Sequence, residues 1–117
     1  METKKQFDGF LFANTMNLSN YSCLVAVGGD GSLSEVANGM LARADKQKLP
    51  IAFIPNGSTN WFGITLGFFS NIDMALDALC GGIVSKFSVL ECLTDSEDSS
   101  EIAMGIEGFK RRRYALG

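Results

Sequence analysis

Histidine is absent from the 117 residues. That excludes Ser-His-Asp triads and every zinc site built with an imidazole. Cysteine is sparse, with Cys23, Cys80 and Cys92 and no CxxC pair. An odd number of thiols inside apolar segments speaks against a disulfide framework. It is the expectation for buried, reduced cysteines of an intracellular protein. No apolar run approaches the ~20 residues that span a bilayer. The opening METKKQFDGF has no apolar segment of the secretory-signal kind. A basic excess is missing as well. The formal net charge is −3, so no nucleic-acid partner is expected, because such proteins usually present a basic face.

What is present fits one small globular unit. Hydrophobic residues make up 46% and charged residues 20%, a balance that buries a core and does not describe a disordered chain. The length leaves little surplus core. Charge is unevenly placed. Glu91, Asp95, Glu97, Asp98 and Glu101 lie close together, and Lys110, Arg111, Arg112 and Arg113 follow. These read either as a solvated loop and tail, or as a basic tail that docks on an acidic protein or on lipid headgroups.

Residues 22–27 (SCLVAV) form a continuous apolar run of strand length, which fits a strand covered on both faces. Residues 28–31 (GGDG) force a turn. Ser32 can cap the next helix, with Glu35 completing a capping box. Leu33, Val36, Ala37, Met40, Leu41 and Ala44 then recur at helical spacing, and the helix is expected to end near residues 46–48. Pro50 opens a second strand at 51–54. A turn-rich loop, PNGSTN, covers residues 55–60. A short helix at 61–66, a helix starting at Asn71 or Asp73 and ending at Gly81-Gly82, a strand at 86–93 and a short strand at 102–106 complete the reading. Residues 10–16 are ambiguous, with a short helix as one option. This order of elements predicts an α/β fold with a mainly parallel sheet. Its right-handed crossover should bring residues 28–31 and 55–60 to one crevice.

A strand, bare glycines and a helix start make a natural phosphate site. Asp30 repels phosphate by charge. It suits Mg²⁺, a bridging water, or the loop's own backbone N–H groups. The alternative is a tight turn with no ligand. GGDG is neither the dinucleotide fingerprint nor a P-loop, since no GK[ST] follows. In the second loop, Ser58, Thr59 and Asn60 offer hydroxyl and amide groups to phosphate or adenine. They equally suit a turn that satisfies itself.

Together, "GGDGSLSEVANGML", "LPIAFIPNGSTNWFGITLG" and "ALDALCGG" with "KFSVLECL" resemble the catalytic domain of the diacylglycerol kinase superfamily, which includes sphingosine, ceramide and acylglycerol kinases. The likeness runs from about residue 18 to residue 106 and extends to the acylglycerol kinases of mitochondria, whose second loop is also degenerate. It implies a three-layer, partly parallel α/β sheet, here a truncated nucleotide-binding lobe. It implies ATP and Mg²⁺ as cofactors and a lipid hydroxyl as acceptor. By position, Gly28, Gly29, Asp30, Gly31 and Ser32 would form the nucleotide loop, with Glu35 and Asn38 in support. Gly57, Ser58 and Asn60 would match the second loop. Residues 1–17 then read as an extension, 18–93 as the lobe, and 94–117 as an acidic loop with a remnant of a second domain and the basic tail.

The departures are specific. The family's second loop usually reads P-x-G-T-G-N-D. Here Ser58 replaces Thr, Thr59 replaces Gly and Trp61 replaces Asp. Ser88 stands where an Asp is frequent. The family's first βα unit and most of its β-rich second domain have no counterpart in this sequence, and Glu107 is the single acid in the remnant. The expectation is therefore a degenerate, non-catalytic subunit of a larger assembly, with a mitochondrial home implied by the acylglycerol kinase likeness. Phe62, Phe68, Phe69 and Trp61 read as core or as part of a subunit contact. The competing expectations are an active lipid kinase and a regulatory nucleotide-binding domain.

Overall fold

The computed structural model describes residues 1–65, 71–86, 88–93 and 112–115. Two parallel strands, β1 (Leu24–Gly28) and β2 (Ile51–Pro55), are joined by α2 (Asp30–Leu41). This is the β–α–β crossover that alternating elements predict. An N-terminal helix, α1 (Asp8–Thr15), resolves the ambiguity at residues 10–16. It packs along α2. A short α3 (Trp61–Thr65) follows β2, and α4 (Ile72–Gly81) packs against β2. Strands β3 (Leu90–Leu93) and β4 (Arg112–Ala115) form a separate antiparallel ribbon, with β4 against α2.

The core lies between α2 and one face of the parallel pair. Ala26 of β1 and Phe53 of β2 meet Leu33 and Ala37 of α2, with Val36, Ile51 and Val89 around them. The other face is different. Val25 and Val27 are 37% and 59% exposed. The run SCLVAV predicts covering on both faces, but on this second face β1 stays exposed at Val25 and Val27 while Ala52 and Ile54 of β2 are half-buried. Helix α4 packs against β2, and α1 packs along α2.

Helix α2 starts at Asp30, two residues before Ser32, with Gly29 as its N-cap and no side-chain cap. The expected capping box therefore does not form. Gly is itself acceptable at an N-cap, so the helix can begin inside the glycine turn. Glu35 is released to cap another helix. Its two carboxylate oxygens accept Phe7 N–H and Gly9 N–H, each at 3.2 Å, at the start of α1. Near its other end, Gly39 lets α1 approach closely. A Cβ there would collide with the Phe10 carbonyl oxygen and lie 2.9 Å from Ala13 Cβ. Asn14 Nδ2 donates to the Gly39 carbonyl at 3.2 Å.

The helix ends at Leu41, earlier than residues 46–48. Arg43 explains the stop. Its guanidinium turns back, donating from Nη1 to the Ala13 carbonyl at 2.8 Å and from Nε and Nη2 to Asp45 at 2.9 and 2.6 Å. This buried cation, 4% exposed, satisfies the end of α1.

Helix α4 follows its sequence signals. The Asn71 side chain accepts Asp73 N–H at 2.8 Å, and Gly82 closes the helix with φ 68°. Of its expected apolar face, Ala75 is buried while Ile72 and Leu76 remain exposed. Cys23 is partly buried and Cys80 is exposed, both as free thiols, so the expected burial fails at Cys80. It lies on α4, whose one buried residue is Ala75. The third strand is shorter than 86–93 and pairs with β4 instead of joining the parallel pair. The acidic stretch Asp95 to Glu101, the expected strand at 102–106, Glu107, Lys110, Arg111, Phe68 and Phe69 lie outside the described residues. None of the described helices is long and apolar enough to cross a membrane.

Two stability tests follow from this packing. In an exposed helix, Gly→Ala is stabilising by up to ~1 kcal/mol. At Gly39 the sign should reverse, because the new methyl drives α1 off α2. Gly39→Ala should lower unfolding stability by about 1–3 kcal/mol in a urea titration. Acid should act through Asp8 and Asp45. Backbone N–H groups, Lys4 foremost, hold the Asp8 carboxyl below the usual carboxylate range. The Arg43 guanidinium does the same for Asp45. Both pKa values are depressed in the folded state. Their stabilisation is therefore present above the unfolded value of about 4 and is lost as pH falls through the lower folded values. Asp8→Asn and Asp45→Asn should each flatten the acid limb of stability against pH. Identical limbs would show that these contacts contribute nothing.

Candidate functional site

The parallel strands end level, with Gly28 opposite Pro55 as the last pair. Asn56 N–H then donates to the Gly28 carbonyl at 2.8 Å, carrying the ladder one bond into the loops. Residues 28–31 and 55–60 consequently leave the same end of the sheet, as the crossover rule requires. The two loops touch through bare backbone. A Cβ on Gly57 would sit 2.5 Å from Gly29 Cα and 3.1 Å from Gly29 N. A side chain there would wedge the loops apart.

Asp30 ties the loops together. It is the first residue of α2, and its Oδ2 accepts Trp61 N–H at 2.9 Å. Trp61 is the first residue of α3, so a carboxylate on one loop caps the short helix that follows the other. The same charge is favourable at the positive N-terminal end of α2. Asn60 bridges within its own loop. Its carbonyl accepts Ile64 N–H at 3.0 Å, and its Nδ2 lies 3.5 Å from the Gly57 carbonyl. Asn60 Oδ1 is buried and finds no donor among the described residues. An unionised donor such as a hydroxyl or a metal-bound water would satisfy it, whereas a fully ionised phosphate has no proton to give.

Gly31 lies in the first turn of α2, exposed, with nothing within 4 Å of a Cβ built on it. Ser58 and Thr59 are exposed on the second loop, and Ser32 is half-buried beside Gly28. The site thus gathers the first N–H groups of α2, bare glycine backbone, three hydroxyls and one carboxylate. No lysine or arginine stands within residues 28–32 or 55–61. From these two segments an anion would be held by backbone dipoles, hydroxyls and a divalent ion. Among the described residues no three metal-ligating side chains come together. The donor set fits Mg²⁺ held mostly by phosphate oxygens and water with Asp30 as the one carboxylate, the usual manner for this ion with a nucleotide.

Residues 1–92 match the family model described as "Diacylglycerol kinase catalytic domain". The chain belongs to this family. It is 33% identical over 111 residues to sphingosine kinase 1 of Arabidopsis thaliana, covering 92% of this chain and 22% of that protein. Diacylglycerol kinase of Staphylococcus aureus is 38% identical over 87 residues, 74% of this chain and 27% of that protein. The chain therefore spans about a quarter of the length of the curated relatives it matches. The matched range takes in α1 as well as both loops.

Within the kinase-family lobe, the residues carried over from the motifs fall into two groups. Gly28, Gly29, Asp30, Gly31, Ser32, Gly57, Ser58 and Asn60 are brought to one end of the sheet. Glu35 and Asn38 are not. Glu35 holds the start of α1, and Asn38, 1% exposed, donates to the Ser34 carbonyl at 2.8 Å inside the α2 packing. They steady the helix behind the loop. Ser88 is exposed ahead of β3. Arg112 and Arg113 lie on β4, paired in register with Leu93 and Cys92.

The bond from Trp61 to Asp30 had no local signal, because the residues are 31 apart in sequence. Asp30→Ala should raise amide exchange at Trp61 by about tenfold or more, the scale of losing a hydrogen bond to a charged group. Asp30→Asn keeps an acceptor oxygen and should preserve most of the protection. Equal protection in all three proteins would show that the carboxylate does not hold α3.

Proposed function

We propose that this chain is the nucleotide-binding lobe of a lipid kinase, holding the phosphates of ATP–Mg²⁺ between the GGDG loop and the residue 55–60 loop. The observation that carries the reading is the backbone contact of Gly29 with Gly57, clasped by Asp30 and Trp61. Such a contact puts the α2 N-terminus beside both glycine backbones, where one anion would meet them together. ATP would supply the phosphoryl group, and Mg²⁺ would neutralise its charge. The chain's own residues orient and bind. N–H groups of the first turn of α2 face the phosphates, the hydroxyls of Ser58 and Thr59 add donors, and Asp30 holds a metal-bound water. The acceptor class is a lipid alcohol, in line with the sphingosine and diacylglycerol in the relatives' names.

A second reading has an observation of its own. Trp61 stands where the family's second loop has a carboxylate, and the Asp30 carboxylate is engaged by the Trp61 N–H. The exposed Val25 and Val27 on β1 suit a protein partner. Under this reading the chain binds nucleotide without transferring phosphate and acts as a subunit of a larger assembly. ATP–Mg²⁺ binding is common to both readings. Transfer of phosphate to diacylglycerol or sphingosine by the isolated chain separates them, and the altered loop favours no transfer.

Gly31→Glu tests the shared step. A carboxylate in the first turn of α2 should leave folding stability unchanged or raise it by ~0.3–1 kcal/mol. The same charge repels phosphate, so ATP–Mg²⁺ affinity measured by calorimetry should fall about tenfold or more, roughly 1.4 kcal/mol. Unchanged affinity in a folded variant would remove the GGDG loop from the binding site.

A further inference from the structure

Trp61 is the sole tryptophan of the chain, and it follows directly on the polar PNGSTN loop while 70% exposed. Large aromatic side chains are normally drawn into the core, and an indole left in water beside a binding loop calls for an explanation. Its backbone is not loose. The N–H is fixed to Asp30 Oδ2 at 2.9 Å, and the next turn of α3 is held by Ile64 N–H on the Asn60 carbonyl. Its Cα is thereby held one side chain's reach from the residue that follows Gly29, at the rim of the phosphate loops.

We infer that the Trp61 indole is a stacking platform for the nucleobase of the nucleotide whose phosphates the two loops hold. The inference rests on the nucleotide-binding reading above and adds to it the residue that recognises the base. A nucleoside that leaves the α2 N-terminus along the loop rim meets the position of Trp61. A flat apolar ring there offers face-to-face area that every purine can use, with little dependence on hydrogen bonding. The surroundings favour a base over a lipid surface. Asp30, Ser58, Thr59 and Asn60 would all be carried toward hydrocarbon if Trp61 entered a bilayer, and residues 56–65 contain no lysine or arginine to meet anionic headgroups. Ile64, exposed one turn on, extends the apolar edge of the platform.

Because no other tryptophan is present, intrinsic fluorescence of the full chain reports on Trp61 alone. Titration with ATP–Mg²⁺ should quench the emission, and titration with inorganic tripolyphosphate–Mg²⁺ should bind with little quenching. Trp61→Ala should weaken ATP–Mg²⁺ by about tenfold while leaving tripolyphosphate affinity unchanged, and Trp61→Phe should restore most of the ATP affinity. If ATP binds equally to Trp61→Ala, or quenches no more than tripolyphosphate, the platform is refuted while the phosphate site stands. If neither compound binds, the nucleotide reading falls and the platform with it. A blue shift on phosphatidylcholine–phosphatidylserine vesicles without any response to ATP would assign Trp61 to a membrane and overturn the inference.

Discussion

Gly57 approaches Gly29 so closely that a side chain on Gly57 would collide with the Gly29 backbone, and the arrangement of the site depends on that contact. It requires β1 and β2 to end level, which the parallel register with Gly28 opposite Pro55 provides. It requires α2 to start inside the glycine turn, which it does at Asp30. The Asp30 carboxylate then reaches Trp61 N–H and fixes the start of α3. Loop, strand end and short helix become one object joined by a carboxylate, so a change in any of them is felt in the others.

Helix α2 is the part that carries this object. One of its faces covers Ala26 and Phe53 and sets its height over the sheet. Its other side is locked to α1 at three levels: Glu35 at the start of α1, Gly39 in the middle, and Arg43 just past the end of α2. Burying a guanidinium and a helix terminus is costly unless every donor is satisfied. Here Arg43 donates to the Ala13 carbonyl and to both oxygens of Asp45. Stability and site geometry are therefore linked through α2. A lesion between α1 and α2 should move the N-terminus of α2, where an anion would sit, without touching a loop residue.

Much of this was legible in the sequence because the signals are local. The apolar run, the glycine turn and the helical spacing from Leu33 to Leu41 place the β–α–β unit, and Asn71 with Gly82 bounds α4. The motif GGDG with IPNGSTN carries the likeness to the family whose model matches residues 1–92. What failed depends on contacts distant in sequence. Ser32 and Glu35 have the spacing of a capping box, yet Glu35 gains two backbone donors from α1 that no local pattern announces. Residues 22–27 read as doubly covered, since an apolar run shows that a strand can be buried and not which helix lies on which face. Trp61 looked like a lost carboxylate in the sequence. In the structure its backbone N–H has become the partner of the Asp30 carboxylate.

The central claim is that both loops bind one anion as a unit. An amide-resolved NMR titration of the full chain with ATP–Mg²⁺ tests it most directly. The account predicts that the amides of Gly29, Gly31, Ser32, Gly57 and Ser58 shift together with one dissociation constant, and that Trp61 moves with them. Shifts confined to one loop, fitted with unrelated constants, or absent from both would contradict it.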